Sequence, residues 1–257
     1  MSDRLKAKDN FFKMGFIGNG TKVESWNRAF NTTLTDTMMV TEDDLQSIVD
    51  WGPNMLMICD CKDPIALSAT LEPVVPGIIL FNMILDPETA DKVVSAGRKV
   101  VYFPEMSPAP HRSEDIHFPA LLLAGGHMET LDQFEQILFG FSKILPTKMY
   151  KLSAVEIAFV RLGIDSFLAT KTIFFNQLYS VIKEMGGNPQ TITRCIGSDH
   201  RINIHNTMVP DLDGRPGYNL DNQKSVDLLK DFVYNLEDVN FSLLDEVKSI
   251  NDKLRGD

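Results

Sequence analysis

Gly18-Asn19-Gly20-Thr21-Lys22-Val23 is the stretch whose residue types and spacing speak most directly of chemistry. It follows a short apolar strand, Met14 to Ile17, and leads into a helical pattern through Trp26, Ala29 and Phe30. In a G-x-G-x-x-G turn of this kind the first glycine makes the tight bend. The second lets the backbone approach a pyrophosphate, and the amides at the helix N-terminus face the negative charge. Val23 stands where the third glycine is usual. An acid about twenty residues further on holds the ribose hydroxyls in such a unit. Asp36, after Thr33-Leu34-Thr35, is the residue read for that role. A tight strand-to-helix turn that binds nothing has the same sequence.

Other reactive side chains are scattered. Glu105 closes the apolar run Val100 to Phe103 after Pro104, and Arg161 and Asp165 stand at i, i+4 on a helix. That spacing also makes an ordinary helix-surface ion pair, which is the reading preferred here. His200 and His205 flank Arg201 in a polar loop and have the chemistry to meet a phosphate. Without companion carboxylates or cysteines around them they predict no metal site.

The element that must position these residues is a long helix, Ser153 to Gly187. Ser153-x-x-Glu156 is a capping box, and Gly186-Gly187 ends the run before Pro189. Before it, apolar runs alternate with helical patterns. The strands are Met14–Ile17, Met55–Cys59, Ile78–Leu80, Val100–Phe103 and Leu121–Leu123. The helices are Thr41–Val49, Pro87–Ala96 and Met128–Phe141. That alternation predicts an α/β fold with a Rossmann-like, doubly wound, mostly parallel sheet. After the long helix come three more, Pro189–Ile196, Ser225–Leu236 and Phe241–Leu254, with a Gly- and Pro-rich loop at Asn203–Asn222. The expected domains are therefore 1–150, Rossmann-like, and 151–257, the long helix with a small all-helical domain.

Composition narrows the partners. A chain of 257 residues, 44% hydrophobic, buries a sizeable core. A net charge of -10 argues against nucleic acid or an anionic membrane as partner. MSDRLKAKDNFF has no apolar signal core, and Val74–Leu85 is too short and too interrupted to span a bilayer. Three cysteines, Cys59, Cys61 and Cys195, suit a reducing, cytoplasmic compartment. Cys195 is read as a buried small hydrophobe.

Taken in order, six segments resemble the UDP-glucose/GDP-mannose 6-dehydrogenase family over nearly all of the chain. They are GFIGNG at Gly15–Gly20, YFPE at Tyr102–Glu105, DIHFPALLLAGG at Asp115–Gly126, DSFLATKTIFFNQL at Asp165–Leu178, IGSDHRI at Ile196–Ile202 and GRPGY at Gly214–Tyr218. The resemblance implies NAD as cofactor, a sugar nucleotide as substrate and a homodimer formed through the long helix. The family's C-terminal nucleotide-binding domain has no counterpart here. The family oxidises an alcohol to a carboxylate in two hydride transfers, through a thiohemiacetal on a cysteine. The resemblance places that cysteine soon after Gly217, where this chain has Asp221 or a neighbour.

The same mapping puts Arg161 and Asp165 at the family's lysine and asparagine, Ser225 at its aspartate and Met83 at its threonine. Lys62-Asp63-Pro64 replaces a Gly-Thr-Pro-like segment, and Ala109 a second glutamate. Glu105, Asn176 and Arg201 survive, and Lys171 is expected to face solvent. The resemblance thus implies catalytic positions Glu105, Arg161 and Asp165, and a cofactor turn of Gly18 to Val23 with Asp36. Its implied substrate contacts are Arg201, Gly217 and Tyr218. Its expectation is altered chemistry, a single hydride transfer at most, or a non-catalytic binding or regulatory subunit. The related β-hydroxyacid dehydrogenases share the plan, and their helix lysine and asparagine are also absent.

Overall fold

The structure, a computed structural model, describes residues 11–106, 112–210, 214–237 and 239–256. It divides into two compact units, Met1–Phe159 and Val160–Asp257, with the boundary inside the long helix rather than before it.

The first unit is a seven-stranded sheet with helices. Its strands are β1 Phe12–Ile17, β2 Thr35–Val40, β3 Met55–Ile58, β4 Ile78–Phe81, β5 Val100–Tyr102, β6 Leu122–Gly126 and β7 Met149–Leu152, in the order β2-β1-β3-β4-β5-β6-β7. All neighbours pair in parallel except β5 with β6, which are antiparallel. The central strands β3 and β4 are buried at every position, as strands covered on both faces must be. Helices α1 Gly20–Phe30, α2 Leu45–Trp51, α3 Pro64–Leu71, α4 Pro87–Ser95, α5 Arg112–His117 and α6 Met128–Phe141 complete the unit. Trp26, Phe103 and Phe134 pack edge to face in its core, with centroids 5.6 and 4.9 Å apart.

Helix starts follow a local rule. Asp63 and Asp86 each accept a hydrogen bond from the third following amide, at 2.9 Å, and a proline sits at the first helical position. Asp63, in the segment that departs from the family, is therefore spent as a helix cap. Helix α3, helix α5 and strand β7 are absent from the sequence reading; β7 is short and half exposed, so no apolar run marks it.

Helix α7, Ala154–Glu184, begins at the expected capping box: Ser153 N donates to Glu156 Oε2 at 2.9 Å and Glu156 N to Ser153 Oγ at 3.3 Å. Gly187 N closes its end on Ile182 O at 2.9 Å. The second unit holds the rest of α7 with α8 Pro189–Gly197, α9 Leu220–Tyr234 and α10 Ser242–Arg255. Ala169, Ile173, Tyr218, Val226 and Val247 form its apolar core. Helix α9 starts five residues earlier than expected because Asn219 caps it on Asn222 N.

Candidate functional site

In the sheet order, β2 and β3 lie on opposite sides of β1, so the chain reverses direction across the sheet between β1 and β3. In open α/β sheets that switch point, at the carboxyl ends of the strands, is where ligands bind. Gly18 and Gly20 sit there, following β1. Gly18 has φ +134°, and a Cβ on it would lie 3.1 Å from Val23 Cγ2 and 3.3 Å from Asp60 N. Val23 is 2% exposed, so the missing third glycine is absorbed by packing Val23 against Gly18. Gly20 has φ +73°, and a Cβ there would meet no atom within 4 Å. The space over the second glycine is open, as close approach of a phosphate requires. Asn19, at the N-cap of α1, makes no side-chain capping bond, which leaves the first-turn amides to a ligand.

The strand ends around this turn carry a buried charged cluster. Lys22 Nζ donates to Cys59 O at 3.2 Å, past the end of β3, and to Asn82 O, past the end of β4. It also stands 3.8 Å from Glu105 Oε2. Arg112 Nε lies 2.8 Å from Glu105 Oε1, and Arg112 Nη1 donates to Thr21 Oγ1 at 3.3 Å. Asn82 is fully buried; its Nδ2 donates to Phe103 O at 2.7 Å, while its Oδ1 has no hydrogen bond among the described residues. Burial pushes the Cys59 thiol up to about 12, with the Lys22 charge opposing that shift. Cys61 Sγ lies 3.7 Å from Met83 Sδ, at the position of the family's threonine. Sequence reasoning did not foresee Lys22 as part of a charge cluster, nor Arg112 or Asn82.

Asp36 is not at this end of the sheet. It pairs with Lys13 near the start of β2, four residues before Val40, which pairs with Ile17. That leaves it roughly 13 Å short of the crevice. At the carboxyl end of β2 stand Thr41 and the acidic turn Glu42–Asp44, and Glu42 Oε2 accepts from Lys62 N at 3.1 Å. The signal was spacing: Glu42 follows Gly20 by 22 residues and Asp36 by 16. What hid it was β2 itself, whose Thr-Asp-Thr start looks like the strand's end.

In the second unit Arg161 and Asp165 do meet, but not on a surface. Their side chains are 12% and 7% exposed; Arg161 Nη1 pairs with Asp165 Oδ1, and the fully buried Ser225 donates its hydroxyl to Asp165 Oδ2. The three positions that the resemblance aligns with a catalytic lysine, asparagine and aspartate are thus gathered in one buried network. Asn176 accepts from Gly217 N at 3.1 Å, Tyr218 N donates to Asn251 Oδ1 at 2.8 Å, and Arg255 Nη2 donates to Gly217 O at 3.3 Å. Gly217 and Tyr218 are therefore wired into the helical core by their backbones. The Tyr218 hydroxyl is buried without a hydrogen bond among the described residues, and burial, with Asp227 and Asp252 nearby, raises its pKa.

Arg201 is exposed and folds back on Asp199, with Nη2 to Oδ2 at 2.7 Å; the pairing raises the pKa of the arginine and lowers that of the aspartate. Lys171 does not face solvent freely. Its ammonium donates to Ile202 O at 2.7 Å and Asn203 O at 3.0 Å, and burial lowers its pKa. Cys195 is exposed, contrary to the buried reading. Ala109 and the side chain of Asp221 lie outside the described residues. Among the described residues no group of His, Cys, Asp and Glu is gathered as metal ligands, and no helix is long and apolar enough to cross a membrane.

No family model and no curated protein matches the sequence. Solved structures do match the fold. A UDP-glucose dehydrogenase from Pyrobaculum islandicum superposes with a TM-score of 0.74 at 14% identity, covering 95% of this chain and 68% of that one. A 3-hydroxyisobutyrate dehydrogenase from Mycobacterium tuberculosis, bound to L-serine, gives 0.73 at 12% identity, covering 96% of this chain and 94% of that one. A protein named Psf3, in complex with NADP+ and 2-OPP, gives 0.69 at 16% identity over 95% of this chain. The chain has the fold of these proteins: a doubly wound, Rossmann-like sheet followed by a long helix and a smaller helical unit.

Proposed function

We propose that this chain binds NAD at the switch point and is a UDP-glucose/GDP-mannose dehydrogenase-like protein with altered chemistry. The observation that carries the reading is the turn itself: Gly18 locked by packing, Gly20 open, and α1 uncapped, all at the carboxyl ends of β1 and β3. The amides of α1 would hold the pyrophosphate. Glu42, rather than Asp36, would accept from the ribose hydroxyls, and three acids in Glu42–Asp44 favour NAD over a dinucleotide carrying an extra phosphate. Bound NAD supplies a hydride acceptor. Glu105, which lies between two cations, is a carboxylate placed to orient a hydroxyl or a water.

A four-electron oxidation is not part of the proposal, since no cysteine stands near Gly217 in the sequence. The buried Arg161–Asp165–Ser225 network favours the alternative, a non-catalytic subunit that keeps the nucleotide site. A thermal-shift series with NAD, NADH, UDP-glucose, GDP-mannose and 3-hydroxyisobutyrate tests this, paired with NADH absorbance. Stabilisation by NAD with turnover of any alcohol supports the oxidoreductase. Stabilisation without turnover supports the binding subunit. No response to NAD at millimolar concentration removes the cofactor reading.

The free cysteines support a cytoplasmic setting. The same proposal includes a homodimer through α7. Ile164, Phe167, Phe174, Leu178, Val181 and Met185 recur at spacings of three, four and seven, the seam of a helix pair. Phe167, Phe174, Val181 and Met185 are 67%, 57%, 60% and 81% exposed. Gly163, Thr170 and Gln177 flank the seam, while Lys171 and Glu184 fall on the same seven-residue series as Ile164 and Gly163. Light scattering should report a dimer, and Phe174→Asp a monomer; a monomeric parent chain would end this part.

A further inference from the structure

Arg112 opens helix α5, and α5 packs on α1. Its guanidinium spans two partners: Nε stands 2.8 Å from Glu105 Oε1, and Nη1 donates to Thr21 Oγ1 at 3.3 Å. The two charged side chains are largely enclosed, 15% exposed for Arg112 and 9% for Glu105. Asn19, Gly20 and Thr21, by contrast, are exposed. A buried carboxylate thus holds one edge of the guanidinium, while another edge reaches the open start of α1. The group is planar with its donors in a rigid fork, so the hold on Nε aims the rest.

Backbone amides at a helix start offer only partial charges, whereas a pyrophosphate carries full ones. A pyrophosphate on the first-turn amides of α1 lies over Gly20 and Thr21. That puts it within reach of the guanidinium edge that already meets Thr21. Arginine has five N–H donors, so a phosphate can join Glu105 on the guanidinium without displacing it. We propose that Arg112 is the side chain that grips the pyrophosphate, with Glu105 as the residue that positions it. This rests on the dinucleotide reading above and deepens it. The diphosphate, rather than either base, is then the part of the ligand that the crevice selects, and ADP should carry most of that recognition.

The test is calorimetric titration of the full chain with NAD, ADP and adenosine, on the parent and on Arg112→Gln and Arg112→Lys. The parent should bind ADP about tenfold or more tightly than adenosine, the scale of one charge-assisted hydrogen bond. Arg112→Gln should weaken NAD and ADP alike, by about ten- to a hundredfold, and leave adenosine within about twofold. Arg112→Lys keeps the charge and loses the fork, so its losses should fall in between. If Arg112→Gln fails to fold, Arg112→Lys must still weaken both diphosphates by about threefold or more. Unchanged binding of NAD and ADP in a folded Arg112→Gln protein would overturn the inference while leaving the dinucleotide site intact. So would loss of NAD with ADP spared, which would put Arg112 at the nicotinamide half, or an equal loss of adenosine, which would make its role structural. Binding of neither NAD nor ADP to the parent chain would instead sink the dinucleotide reading itself.

Discussion

Glu105 in the sheet unit and Asp165 in the helical unit are both buried carboxylates facing arginine, and their surroundings differ in a telling way. Around Glu105 two cations, Lys22 and Arg112, approach one carboxylate, and the neighbouring turn has open space over Gly20. Around Asp165 one oxygen faces Arg161, the other takes the hydroxyl of Ser225, and Ser225 is fully buried. Cations beside an open turn are what an anionic ligand can use. An enclosed pair joined to Ser225 links helices α7 and α9. On the proposed reading, the contrast favours ligand binding in the first unit.

The largest expected effect tests the closed side. Asp165→Ala leaves the Arg161 guanidinium buried without its partner and should destabilise the helical unit by about 3–5 kcal/mol. Replacing both residues, as Arg161→Met with Asp165→Leu, should cost far less, because well-packed apolar groups substitute for a buried pair at little net cost. Denaturant titration of both variants decides. Equal losses would mean that the network does more than satisfy itself.

Next in size are the two glycines of the turn. Gly18→Ala puts a Cβ against Asp60 N at a φ of +134°, and should cost about 1–3 kcal/mol of stability. Gly20→Ala meets no atom, so its fold cost is confined to the positive φ, about 1 kcal/mol. Its effect on NAD binding should nevertheless be the larger in proportion, since the methyl occupies the space left for phosphate. Melting curves with and without NAD separate the two effects.

The fold was legible because its signals are local. Pro189 and the Ser153–Glu156 box mark their helices, and β3 and β4 are unbroken apolar runs. The candidate turn was legible where backbone geometry demanded a residue type, at Gly18 and Gly20. Asp36 misled because β2 opens on polar residues and hides its length. Lys22 and Arg112 lie 90 residues apart and meet only through Glu105, a contact that no spacing announces. Arg161 and Asp165 had the spacing of a surface pair, yet they are buried and Asp165 meets Ser225 of α9.

Cysteine chemistry gives a smaller effect. The Cys59 thiol has its pKa raised from an ordinary 9.0 to about 12, so the folded state favours the protonated form. That contribution to stability is complete below pH 9 and is lost as the pH climbs toward about 12, because the unfolded thiol ionises first. At pH 8 a thiol reagent should label exposed Cys195 in the native protein and reach Cys59 only after unfolding. Native labelling of Cys59 would mean that the strand ends around Lys22 are open to solvent.

Arg201 should show the smallest effect on the fold and thereby sharpen the contrast most finely. Its guanidinium is 76% exposed and its partner Asp199 is two residues away. Exposed pairs of this kind contribute little to stability, so Arg201→Ala should leave the melting temperature unchanged. The resemblance gives the same residue a sugar-nucleotide contact. If UDP-glucose stabilises the parent chain, loss of that stabilisation in an equally stable Arg201→Ala protein would give the helical unit a ligand-facing residue of its own. A response to UDP-glucose that survives the substitution would leave Arg201 as a local turn pair, and would return the search for a nucleotide contact to the cationic cluster around Glu105.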